Sequence, residues 1–199
     1  MSNSKASIAL CLAAALSLSG CLNLGGGAKV PPTLMRLSPA SPLAPQTDRT
    51  ATASQAVTVV VPTVPQELAT LRVPVTRGGI SIAYLKDAQW VEQPNALFAR
   101  LLSETIASTT GRVVLDPRQF SLDPGVRLTG QLQAFGLDAD TMEVVARYDA
   151  ALARGADSVE THRFEARIKV PAAEPSAVSP ALNQAANQVA ADVSRWIGS

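Results

Sequence analysis

The clearest pattern along this chain lies between residues 126 and 170. In "VRLTGQLQAF" Val126, Leu128, Leu132 and Ala134 alternate with Arg127, Thr129, Gln131 and Gln133. In "VVARYDAAL" Val144, Ala146, Tyr148, Ala150 and Leu152 share one parity. In "HRFEARIKV" Phe164, Ala166, Ile168 and Val170 alternate with Arg163, Glu165, Arg167 and Lys169. Successive side chains of a strand point to opposite faces, so each segment has one dry and one wet face. Short connections between the three predict an antiparallel meander. Upstream, residues 57–61 are β-branched throughout and stop at Pro62, which reads as a buried strand. "LRVPVTRGGISIAYL" predicts a hairpin turning at Arg77, Gly78 and Gly79. Pro74 cannot donate to a ladder, so its arm is expected at a sheet edge.

The period changes to that of a helix twice. Over residues 94–110 Leu97, Phe98, Leu101, Leu102 and Ile106 fall on one face, and Gly111 is a natural stop. "SPALNQAANQVAADVSRWIG" predicts a closing helix with Ser179 as N-cap and Pro180 as first residue. Its apolar stripe is Leu182, Ala186, Val189, Val193 and Trp196. Short strands are expected at residues 33–38 and 112–115. A mobile loop rich in Pro, Ser, Thr and Ala is expected at residues 39–56, and another loop at 117–125. Together these elements predict an α+β fold: an antiparallel sheet with two helices packed on one face, a two-layer single domain over residues 33–199.

The N-terminus has a different character. Lys5 precedes the apolar run "IALCLAAALSL", which ends in the small residues Ser19 and Gly20. A basic start, a short apolar centre and a small-residue exit describe a secretory signal peptide. A membrane-spanning helix needs about 20 apolar residues, more than this run offers. The run ends at "LSGC", residues 18–21, which resembles the lipobox of bacterial lipoproteins. The resemblance implies removal of residues 1–20 by cleavage between Gly20 and Cys21. It also implies a thioether-linked diacylglyceryl group on Cys21 and an acylated new amino terminus. One acyl chain anchors only marginally and two signals anchor stably, so a lipidated Cys21 would hold the chain to a membrane permanently. Residues 21–32 then form a tether, flexible at Gly25, Gly26 and Gly27 and stiffened at Pro31 and Pro32. Leu22, in place of Asp, favours the outer membrane, with the domain in the periplasm and the inner membrane as the other option.

Charge narrows the choice further. The full chain has 17 basic and 16 acidic side chains. Loss of the leader takes only Lys5, leaving sixteen of each. A net charge of zero argues against a nucleic-acid binder, which should show a basic patch and a high pI. Cys11 goes with the leader and Cys21 is consumed by lipid, so no thiol nucleophile or disulfide remains.

Catalytic chemistry finds few candidates. His162 is the only histidine. A general base needs a positioned partner, and a metal site needs three or four ligands, so His162 reads as a core-rim residue. Asp138, Asp140 and Glu143 lack EF-hand spacing and read as a polar turn. "RGG" sits between strands and not before a helix, so it reads as a hairpin turn and not a phosphate loop. No cofactor, metal or enzymatic activity is expected.

The stretch from Thr63 to Ile106 resembles the ABC-type transport auxiliary lipoprotein family, the PqiC-like proteins. The matching features are Pro65, then Leu71 and Arg72 before a hairpin, Tyr84, Trp90, Pro94, and a helix with Leu97, Leu101 and Leu102. The meander and the Ala-rich closing helix extend the likeness to residues 33–197. The family's first strand is often Tyr-rich, where this chain has "TLMRLS". The resemblance implies a non-catalytic docking subunit for an ABC transporter with an MCE-type (mammalian cell entry) substrate-binding protein. Such systems move lipids between two membranes, and a homo-oligomer is one form the docking subunit takes. Arg72, Tyr84 and Trp90 are the candidate partner-binding residues, with a core role for Trp90 as the alternative. Two other functions stay open: a periplasmic carrier of a hydrophobic ligand, and a structural lipoprotein of another envelope assembly.

Overall fold

The computed structural model describes residues 33–45, 48–52, 55–117, 125–155 and 158–198. The elements are β1 (Val57–Val59), a 3-10 turn (Gln66–Leu68), β2 (Arg72–Arg77), β3 (Ser81–Gln89), α1 (Pro94–Thr110), β4 (Val114–Leu115), β5 (Val126–Asp138), β6 (Glu143–Arg154), β7 (Ser158–Lys169) and α2 (Pro175–Gly198). They form an α+β domain with one seven-stranded sheet.

The meander forms as its alternation predicts. β5 pairs antiparallel with β6 along its length, and β6 with β7. The expectation of a purely antiparallel sheet needs correction, because the sheet is mixed. β5 has thirteen residues, more than any single partner on its other side can cover. That second edge is shared by β1 (Val57 opposite Val126), a bridge from Thr63 to Gln131, and β2 (Val75 opposite Leu137), all parallel to it. The chain from Val57 to Thr76 thus follows β5 once, with one detour. β4 adds to β1 in parallel and β3 adds to β2 antiparallel.

This topology moves Pro74 off the edge. β2 lies between β3 and β5, and β3 is the outer strand. Pro74 is tolerated because it sits at a gap in both ladders. Pairing to β5 begins only at Val75, and the register to β3 breaks between Arg72 and Pro74. Gly136 of β5 makes room for it: a Cβ there would lie 2.3 Å from the Pro74 carbonyl oxygen.

One phase error in the β5 reading has a clear cause. Leu132 faces Tyr148 and Ala134 faces Arg147, so Gln133 is an extra residue, a β-bulge. The inward parity switches there from even to odd. Phe135 and Leu137 enter the core, and Ala134 does not.

Both helices lie on the dry face, as expected. α1 ends at Gly111, whose φ of 72° is the left-handed conformation of a helix stop. α2 begins at Pro175, five residues before its predicted start, so Ser179 and Pro180 are inside the helix. Ala185, Ala186 and Ala190 are fully buried and let α2 approach the sheet and α1 closely. Between helices and sheet, Leu102, Ile106, Leu128, Tyr148, Leu152, Leu182, Val189 and Val193 are all 0% exposed.

Residues 33–56 were expected to hold a strand and a mobile loop. Residues 33–38 form no strand. A single parallel bridge joins Met35 to Trp90, with Met35 N–H donating to the Gln89 carbonyl at 2.8 Å. Several described residues of the loop are strapped down. Asn183 Oδ1 accepts from Ser38 N–H at 2.8 Å, and Asn187 Oδ1 accepts from Ala40 N–H at 2.7 Å. Asn187 Nδ2 donates to the Ser38 carbonyl at 2.9 Å. Arg49 donates to the Ala107 carbonyl near the end of α1. Two asparagines four apart lie on one side of a helix, and here they imitate a strand edge for the passing chain.

Candidate functional site

Cys21, Gly20 and the tether of residues 21–32 lie outside the described residues. The remaining candidates are carried by the β2–β3 hairpin. Gly78 and Gly79 make its turn, with φ of 61° and 69°, a backbone conformation costly for other residues. The "RGG" motif is therefore a hairpin turn. Arg72 and Tyr84 are brought together on the sheet face opposite the helices. The Arg72 guanidinium carbon is 4.0 Å from the centre of the Tyr84 ring, a cation–π contact. Arg72 is exposed and Tyr84 half-buried, so both remain open to a partner.

Trp90 is placed elsewhere. It is 1% exposed and stacks on Phe135 with ring centres 5.2 Å apart. Phe98 bridges this pair to Tyr148, 6.5 Å from Phe135 and 5.3 Å from Tyr148. Such aromatic packing contributes beyond the area it buries. The buried indole Nε1–H has no hydrogen-bond partner. Trp90 is thus a core residue that fastens the end of the hairpin onto α1 and β5, and its ring presents no surface to a partner.

The polar candidates are absorbed by local structure. Asp138 Oδ1 accepts the N–H groups of Asp140 (3.0 Å) and Thr141 (3.3 Å), and Asp140 Oδ2 accepts from Gly78 N–H at 2.5 Å. Arg167 lies 3.7 Å from Asp138 and 3.6 Å from Glu143. The three acids therefore close a turn and hold it against the hairpin. Among the described residues no group of three or more His, Cys, Asp or Glu could hold a metal ion. His162 is exposed, with its ring 4.5 Å from Phe164 and 6.0 Å from Trp196.

The wet face of the meander is an ion-pair lattice. Arg163 binds Asp149 through two bonds of 2.6 and 2.7 Å, and this holds the Asp149 carboxyl below its ordinary range. Glu165 lies between Arg147 and Arg167. Partial burial pushes its carboxyl upward, and the two guanidinium groups outweigh that and hold it low. Burial pushes the Tyr148 hydroxyl well up, and it donates to the Thr129 carbonyl at 2.8 Å. These groups are paired structural residues, without the nucleophile-and-base geometry of an active site.

The family of ABC-type transport auxiliary lipoprotein components matches residues 36–194. The chain belongs to this family. The fold of this auxiliary lipoprotein is also that of solved structures. A crystal structure titled only as an uncharacterized protein is 18% identical, with TM-score 0.64, covering 75% of this chain and 96% of that one. Protein XCC0632 from Xanthomonas campestris is 18% identical, with TM-score 0.62, covering 84% and 92%. At that identity the likeness concerns fold alone. No curated protein is significantly similar to the auxiliary lipoprotein. None of its helices, among the described residues, is long and apolar enough to cross a membrane.

Two features of the surface escaped the sequence reading. The asparagine strap had a signal, the spacing of Asn183 and Asn187 within an Ala-rich stripe. The exposed apolar tip at Ile80 and Ile82 had none, because an isoleucine in a strand pattern reads as core.

Proposed function

We propose that this chain is acylated on Cys21 and held at the periplasmic face of the outer membrane. There it serves as a non-catalytic docking subunit for an ABC transporter whose substrate-binding protein is of the MCE type, in lipid transfer between membranes. The observation that carries this reading is membership of the auxiliary lipoprotein family over nearly the whole domain, joined to "LSGC" ahead of a glycine-rich tether. The packing favours docking over ligand carriage. The space between helices and sheet is filled by fully buried Leu128, Tyr148, Leu182 and Val189, and an acyl chain would have to displace them. Arg72 and Tyr84 offer an arginine and an aromatic side by side, residue types enriched at interface hot spots.

Affinity capture of the full chain from solubilised envelopes tests this. Recovery of an MCE-domain protein is expected, and Arg72→Ala with Tyr84→Ala should weaken it. No MCE protein, under conditions where a related pair is captured, refutes docking. Co-purified lipid in stoichiometric amount would favour the carrier. Cys21→Ser should leave the chain unacylated and release it from the membrane fraction.

A further inference from the structure

Exposed apolar side chains are concentrated on one edge of this domain. Among the described residues, the large hydrophobic side chains that stand exposed are Leu34, Val61, Ile80, Ile82, Val91 and Val159. Four of these, Leu34, Ile80, Ile82 and Val91, belong to the β2–β3 hairpin or to the Met35–Trp90 bridge that extends it. Ile80 is 90% exposed at the tip and Ile82 is 49% exposed beside it. The same edge is basic. Residues 72–90 contain Arg72, Arg77 and Lys86 against Asp87 alone, and all four are exposed. The β5–β6 turn faces the tip with three acids: Asp140 is engaged with Gly78 N–H, and Asp138 and Glu143 are both paired with Arg167.

Chain direction decides what lies opposite this edge. Met35 pairs with Trp90 in parallel, so Thr33 and Leu34 lie on the hairpin side of the bridge. Eleven residues lie between Cys21 and Thr33, a reach of at most about 40 Å. The tip is closer to the bridge than that: five steps of β2 from Arg72 to Arg77 span about 17 Å. A bilayer holding the acyl chains of Cys21 is within range of the tip.

We propose that the tip of the β2–β3 hairpin is a second membrane contact: Ile80 enters the headgroup region of an anionic bilayer and Arg77 lies at its phosphates. Arg72 and Lys86 extend the positive field along the edge. This rests on the reading of Cys21 as a lipid anchor. The contact is too small to bind a free domain, but a tether makes it intramolecular, at an effective concentration near the millimolar range. Each basic side chain near an anionic surface then adds about fivefold to the closed population. The second contact fixes which face of the domain points into the periplasm.

The test uses the acylated full chain in vesicles of phosphatidylethanolamine with phosphatidylglycerol. Ile80→Cys carries an environment-sensitive fluorophore, and Val159→Cys, at the far end of β7, carries the same probe as a reference. The expected result is a blue-shifted Ile80 probe quenched by nitroxide lipids, with the Val159 probe in water. Arg77→Gln in the Ile80→Cys background should lower the quenched fraction's equilibrium constant by about fivefold at low salt. An Ile80 probe indistinguishable from the Val159 probe overturns the proposal, as does burial of Ile80 only after envelope proteins are added. The mass of the purified chain separates the two levels. Absence of acyl groups overturns the anchor and the contact together, whereas an acylated chain with a wet tip overturns the contact alone.

Discussion

Asn187→Ala tests whether the segment before residue 56 is strapped by α2. The substitution removes the acceptor for Ala40 N–H (2.7 Å) and the donor to the Ser38 carbonyl (2.9 Å). It also removes a bond to the Asn183 carbonyl within the helix, at 2.8 Å, where water can substitute. A typical hydrogen bond contributes about 1 kcal/mol net, so the strap weakens by about 2 kcal/mol. That raises the population of the opened strap about 30-fold. Asn183 still accepts from Ser38 N–H, so the strap loosens and is not freed outright. Limited trypsin cleavage after the exposed Arg36 reads this opening, in the regime where cleavage follows the open population. The rate should rise about 30-fold. Loss of the same 2 kcal/mol by the whole domain would lower the thermal midpoint by about 4–8 °C, and a local opening lowers it less. A cleavage rate at Arg36 unchanged by Asn187→Ala refutes the strap.

Gly136→Ala should push β2 away from β5, because the new Cβ would meet the Pro74 carbonyl at 2.3 Å and Pro74 Cγ at 2.8 Å. The expected loss is about 3 kcal/mol in urea unfolding, and a change under 0.5 kcal/mol would mean the strands are not in contact. Trp90→Ala should cost about 3–5 kcal/mol as a core truncation, while Trp90→Phe should keep fold and partner capture. Lost capture by a stably folded Trp90→Phe chain would restore Trp90 as a contact residue. Acid should weaken the ion-pair lattice. The Asp149 carboxyl, bonded to Arg163, and the Glu165 carboxyl, held between Arg147 and Arg167 against partial burial, both sit below their ordinary ranges. Their stabilisation is therefore present above the unfolded carboxylate range, about pH 4, and is lost as pH falls through the lower folded values. Stability measured from pH 6 down to pH 2 should show this fall, and Asp149→Asn should flatten it; a wild-type profile without the fall would count against the lattice.

The sequence by itself determined the meander, the two helices and the dry face they cover. Period-2 and period-3.6 patterns are local properties written into consecutive residues, and burying one face requires a layer on it. It also carried "LSGC", because a modification signal is read as a linear motif. Only the tertiary structure decided how β5 spends its second edge, and with it the mixed sheet and the interior place of Pro74. Those pairings join residues about sixty apart, and nothing local encodes them. The bulge at Gln133 was equally illegible, since one extra residue reverses parity without interrupting the alternation before it. Arg72 and Tyr84 met only because a hairpin register brought them to one face. Trp90 went to the core because Phe135, admitted by that bulge, offered its ring a stacking surface there. The strap and the basic, apolar hairpin edge came from the same source: side chains distant in sequence that acquire a shared surface only when the chain is folded.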